Sequence, residues 1–299
     1  MNKDFYAIPD KFIKLVANKE EKGLLLYGKS SLGKTYRVLK VLSDMGKKEK
    51  EDYHFITGHI TPLQFFCELS KAKDKLVILD DVNILESKIN LNMLKAALNE
   101  NGGKVEYLTT KTLPENRANN FIFTGQVIIL LNEKPKRDEH LRAVENRLLS
   151  YQLKFSYEQI IDVLTDIAQN DILNIHQGLS KEERLEILEW IKLNTTLATK
   201  NLNIRLYQHI INFYKSDKTS WKTLASSILD INKYISLIIQ GTKEDEWITK
   251  TGLSRRSFYR YQAIYGKSAK SAMVALNGTG FGTGNSDDKT SKVPKCHDI

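Results

Sequence analysis

The stretch from Gly23 to Leu42, GLLLYGKSSLGKTYRVLKVL, constrains this chain more than any other. Its apolar start predicts a buried strand, its centre a loop bounded by glycines, and its end an amphipathic helix. Gly28 and Gly33 let the backbone curl so that its N–H groups face the oxygens of a phosphate. Lys34 brings positive charge to β- and γ-phosphates, Thr35 offers a hydroxyl to Mg²⁺, and the helix that begins here adds its positive end. Gly28, Lys29, Ser30, Ser31, Leu32, Gly33, Lys34 and Thr35 are therefore the expected nucleotide ligands, with ATP and Mg²⁺ as cofactors.

A second stretch, KLVILDD, ends an apolar run in two carboxylates. A strand there delivers Asp80 and Asp81 to the same cavity, Asp80 for the Mg²⁺ shell and Asp81 to orient or deprotonate the attacking water. Three further runs, DYHFIT, QVIILLN and YQLKFS, read as strands, and amphipathic helices alternate with them. This pattern predicts an α/β nucleotide-binding core over residues 1–155. Helical periodicity then takes over, with capping boxes at Ser156/Gln159 and Ser180/Glu183, and predicts an all-α part over 156–232. A compact helical segment is expected over 233–267. The remainder, 268–299, is rich in Gly, Ser, Thr and Asn and predicts a disordered tail.

The order of GKSSLGKT, VILDD, VIILLNE, a downstream arginine and a helical tail resembles the AAA+ ATPases, over roughly Leu24 to Phe213. The resemblance implies an AAA+ P-loop core with a parallel sheet, a helical lid and assembly into a ring or spiral, as a hexamer or heptamer. It implies that Asn132 is the polar sensor at a strand tip. It implies that Arg147, or Arg142 in its place, is the arginine finger reaching a neighbour's γ-phosphate. It implies that Arg205 is the second sensor, carried by the lid. AAA+ members mostly carry Asp-Glu at the strand tip, whereas this chain has Asp-Asp, a pair shared with superfamily-three viral helicases. The shorter Asp81 alters the reach to water and so bears on turnover, not on nucleotide binding.

Between NLNMLKAALNE and the sensor strand, alternating Val105/Tyr107 and Phe121/Phe123 flank a polar turn and predict a β-ribbon. DNA-gripping AAA+ members insert a pore hairpin at this place, which makes Lys111 and Arg117 candidate phosphate contacts. Further on, KEDEWITKTGLSRRSFYRYQAIY resembles a helix-turn-helix. Gly252 makes the turn, Ser254 caps the second helix, and Ile248, Leu253, Phe258 and Tyr261 face inward. Arg255, Arg256, Tyr259 and Arg260 then face outward, as on a recognition helix in the major groove.

A net charge of +9 suits a polyanionic partner. No run approaches the ~20 apolar residues of a membrane span, and the amino terminus has no apolar signal core. The two cysteines, Cys67 and Cys296, stand far apart and fit a cytoplasmic protein without a disulfide framework. The expected function is an oligomeric ATPase working on DNA, by translocation, unwinding or loading, in a mobile element. Two alternatives stand beside it: a loader or remodeller of a replication or transposition protein, and an ATP-switched DNA-binding regulator.

Overall fold

The computed structural model describes residues 5–99, 102–108, 118–133, 139–170, 175, 178–230 and 232–277. Seven strands occur among them: β1 (Gly23–Tyr27), β2 (Tyr53–Thr57), β3 (Leu76–Asp80), β4 (Gly103–Glu106), β5 (Asn120–Phe123), β6 (Gln126–Leu131) and β7 (Leu149–Gln152). Five of them form one all-parallel sheet in the order β2-β3-β6-β1-β7, and β4 pairs antiparallel with β5. The expected α/β fold with a parallel P-loop sheet is the fold observed.

The apolar runs are unbroken because helices cover both faces of the sheet. Leu25, Val77, Leu79, Val127 and Ile129 point into one buried layer, whereas Leu24, Leu26, Ile78, Ile128 and Leu130 point into the other. That is the two-residue alternation of a strand with no solvent side. The first layer is closed by α3 (Pro62–Lys71) and α4 (Lys88–Ala97), the second by α1 (Ala7–Ala17) and α2 (Lys34–Asp44). Helix α1 carries Pro9 in its first turn, where the missing N–H costs nothing.

The expected ribbon is present as β4 and β5, and it lies against α4 without room for a side chain at Gly103. An added Cβ there would stand 1.4 Å from the Ala96 carbonyl oxygen. The ribbon's turn, with Lys111 and Arg117, lies outside the described residues.

Helix α5 (Glu139–Glu145) leads into β7, and four helices follow: α6 (Tyr157–Asn170), α7 (Lys181–Asn194), α8 (Ile204–Ser216) and α9 (Trp221–Ser227). They share a core of Leu164, Ile187, Ile191, Tyr207, Ile210 and Trp221. Both expected capping boxes form: Ser156 with Gln159, and Ser180 with Glu183.

The chain divides into two compact units, residues 1–195 with 201–229 and residues 196–200 with 230 onward. The second contains α10 (Lys233–Ile239), α11 (Glu244–Thr251) and α12 (Arg255–Asn277) around Trp247, Ile238, Leu237 and Phe258. Helix α12 continues to Asn277, inside the segment expected as a tail, and 278–299 lie outside the described residues. Among the described residues no helix is long and apolar enough to cross a membrane.

Candidate functional site

The loop after β1 and the tips of β3 and β6 meet at the carboxyl end of the sheet, because β1 and β3 both pair with β6 in parallel register. Gly28 is required by close approach: a Cβ there would stand 2.1 Å from the Leu153 carbonyl oxygen. Gly33 opens α2 in the left-handed region, at φ +76°. Ser31 also has positive φ, +59°, a strained setting for a residue with a side chain.

Lys34 is buried and makes three hydrogen bonds through Nζ. It donates to the carbonyl oxygens of Gly28 (2.7 Å) and Lys29 (3.0 Å) and to Asn132 Oδ1 (3.1 Å). Asn132 Nδ2 donates in turn to both carboxylate oxygens of Asp81, each at 2.9 Å. Lys34, Asn132 and Asp81 thus form one continuous chain of hydrogen bonds across three strand ends. Asp81 is exposed and sits at φ +50°, which turns its backbone sharply off β3. Beside this chain, Thr35 Oγ1 donates to Asp80 Oδ2 at 2.7 Å.

Burial pushes the Lys34 ammonium below its ordinary value, although the charges of Asp81 and Asp80 oppose this. Burial likewise pushes the Asp80 carboxyl up, with the Asp81 charge adding to it, while the Thr35 hydroxyl and Lys34 pull it down. A half-buried carboxylate short of positive charge, next to a hydroxyl, is an all-oxygen donor set for a hard divalent cation. Among the described residues no cluster of three His, Cys, Asp or Glu side chains could hold a metal by itself. A Mg²⁺ site completed by phosphate and water does not need one.

Sequence reasoning missed two attachments of the loop. Tyr6 Oη donates to the Leu32 carbonyl (2.9 Å), and the Ile204 N–H at the start of α8 donates to the Ser31 carbonyl (3.3 Å). Arg37 on α2 is gripped by Asp10 on α1 through two bonds of 2.7 and 2.6 Å and stacks over the Tyr6 ring at 4.8 Å. The periodicity of IPDKFIKLVA marks α1 as a helix, but nothing local says that it braces the phosphate loop.

Arg205 lies on α8 and lines a cavity of ≈350 Å³ with Ser30, Ser31, Asn203, His209 and Phe213. It therefore sits beside the phosphate loop. Arg147 does not. It precedes β7, whose Leu149 pairs with Leu24 and whose Gln152 pairs with Tyr27, so it lies at the amino end of the sheet. The four residues of β7 put that end about 13 Å from the loop end. Arg142, on α5, and Arg147 are both exposed, and Arg147 bonds the Ala143 carbonyl.

In the second unit, Gly252 ends α11 at φ +71° and the Ser254 hydroxyl accepts from the Ser257 N–H. Phe258 is buried, and Ile248, Leu253 and Tyr261 are partly buried against the same cluster. Trp247, to which sequence reasoning gave no part, is its centre: it is fully buried and donates through Nε1 to the Tyr234 carbonyl at 3.0 Å. Arg255, Arg256, Tyr259 and Arg260 are exposed, as expected.

No family model matches the chain. It is 25% identical over 225 residues to the uncharacterized 36.7 kDa protein in the nrdC-mobD intergenic region of Enterobacteria phage T4, covering 71% of this chain and 69% of that one. Among solved structures it is similar to a mutant RuvB of Thermotoga maritima (12% identity, 88% of this chain and 87% of that one, TM-score 0.45). It is similar to domain III of the replication initiation protein DnaA of the same organism (14% identity, 76% and 93%, TM-score 0.47). It is also similar to Cdc6p of Pyrobaculum aerophilum (12% identity, 88% and 86%, TM-score 0.47). At these values the likenesses bear on no residue's role; the site rests on its own geometry.

Proposed function

We propose that this chain is an ATP-hydrolysing protein of the AAA+ type that couples turnover to work on DNA. The observation that carries the reading is the chain Lys34–Asn132–Asp81 lying against the Thr35–Asp80 pair. Lys34 leaves its carbonyl acceptors for β- and γ-phosphate oxygens, and Asn132 remains to orient the water that Asp81 aligns or deprotonates. Thr35 and Asp80 hold Mg²⁺, which screens the phosphate charge when bound. Arg205 reaches the γ-phosphate from α8. Arg147, at the far end of its own sheet, serves a neighbouring copy, so the working form is an oligomer with sites between subunits.

Helices α11 and α12 act as a helix-turn-helix, with Arg255, Arg256, Tyr259 and Arg260 toward DNA. Lys111 and Arg117 at the ribbon's turn add phosphate contacts. Replication or recombination of a mobile element is the setting that a phage relative favours. The test is steady-state ATP turnover of the full chain alone, with single strands and with duplex, Lys34→Ala serving as the blank. Salt-sensitive stimulation of several-fold is expected. Lys34-dependent turnover that DNA leaves unchanged would replace DNA by a protein partner as the substrate of the work.

A further inference from the structure

Two of the exposed groups on the outward face of α12 are already engaged. Arg255 Nε lies 2.6 Å from Glu244 Oε1, and Tyr259 Oη donates to Glu244 Oε2 at 2.6 Å. One carboxylate on α11 therefore engages two of the four groups expected to meet DNA. The Arg255 guanidinium also lies 5.9 Å from the centre of the Tyr259 ring, so the two donors share one spot on the surface. Arg256 and Arg260 have no ion-pair partner among the described residues. The contact is not what holds α11 to α12. Trp247, Phe258, Ile248 and Tyr261 pack that interface, and an ion pair whose arginine is 73% exposed adds little to it.

Two oxygens on one planar carbon, taken by a guanidinium and a phenol, present the pattern that two non-bridging oxygens of a phosphodiester present. Both groups carry one negative charge. We propose that Glu244 occupies the place of a DNA backbone phosphate, and that Arg255 and Tyr259 form a two-point phosphate seat which duplex DNA takes over from it. This rests on the reading that α12 meets DNA. Binding then exchanges one anion for another at the seat and leaves the displaced carboxylate facing the phosphate that replaced it. Affinity is lowered for any duplex, while a site that also satisfies Arg256 and Arg260 recovers the loss. Glu244 acts as a threshold against indiscriminate binding.

The test measures the affinity of the full chain for a mixed-sequence duplex by fluorescence anisotropy across salt, for wild type, Glu244→Gln, Arg255→Ala, the double variant and Arg256→Ala/Arg260→Ala. Glu244→Gln is expected to bind about three- to tenfold tighter near 0.1 M salt, with the salt slope steeper by about 0.9. Arg255→Ala is expected to cost little alone and several-fold more in the Glu244→Gln background, a coupling that simple loss of packing does not produce. Thermal melts of each variant check that the fold is retained. Unchanged affinity and slope in Glu244→Gln, with binding still lost in Arg256→Ala/Arg260→Ala, overturns the seat and leaves the DNA reading standing. Binding that no substitution on α12 alters overturns both.

Discussion

The phosphate end of the sheet and the cluster around Trp247 handle charge in opposite ways. At the first, Lys34 is 6% exposed and surrounded by Gly28 and Lys29 carbonyls, Asn132 and two carboxylates, so its charge is held by its neighbours. Taking Lys34 away leaves the two carboxylates without their cation, and Asp80 is already short of positive charge. Around Trp247 the interior is aromatic, with Phe258 at 5.6 Å and Tyr261 at 5.7 Å between ring centres, and the charges stay outside. There the packing holds the fold and the charges can be exchanged. The difference separates residues whose loss destroys chemistry from residues whose loss destroys structure.

Trp247→Ala should be the most damaging change to stability, about 3–5 kcal/mol for a fully buried tryptophan. In denaturation followed by circular dichroism the loss should be confined to the second unit, with nucleotide affinity retained. A concerted loss of both units would break the comparison. Lys34→Ala should do the reverse: phosphate release falls about 10²–10³-fold, while the melting profile of the second unit stays as it was. Asp81→Asn should lower kcat about 100-fold and leave the Kd for nucleotide, read by calorimetry, within about threefold. A large rise in Kd would make Asp81 a binding group instead.

Asp80 sharpens the comparison through pH. Its carboxyl is held above the ordinary range, chiefly by burial. A raised carboxyl contributes stability that is full below its unfolded value and lost as pH rises through its folded value. Asp80→Asn should therefore raise the melting temperature of the nucleotide-free protein at pH 7 and flatten its pH dependence, while weakening Mg²⁺-dependent turnover. Stability that drops at pH 7 would show that Asp80 is better compensated than its burial implies. The smallest effect is expected at the exposed Lys200–Asp230 pair, 3.2 Å long, where Lys200→Ala should change stability by less than about 0.5 kcal/mol.

These contrasts also mark what the sequence could say. The phosphate loop, both aspartates and four of the five sheet strands were legible, because apolar runs and glycine placement are local signals. Ser254 and Gly252 announced the turn between α11 and α12 in the same way. YQLKFS put the fifth strand too late: β7 is Leu149–Gln152, and its alternating exposed positions leave no apolar run to read. Trp247 was missed because its neighbour Ile248 fits the inward spacing equally well, and only packing ranks the two. Tyr6 and Asp10 were missed for a different reason. Their partners, Leu32 and Arg37, lie 26 and 27 positions along the chain, and no periodicity encodes such a pairing. The fate of Glu244 depends likewise on how α11 is set against α12, not on its own neighbours.

The two successive carbonyls of Ser31 and Leu32 are bonded by Ile204 and Tyr6, so residues near the beginning of the chain and residues two-thirds along it close one short loop. During synthesis the sheet strands and Lys34 all emerge before Ile204 does. A ribosome adding about 5–20 residues per second therefore holds for several seconds a sheet whose nucleotide loop lacks its last fastening. A nascent chain ending before Ile204 should bind ATP weakly, and the grip should tighten once α8 has left the exit tunnel.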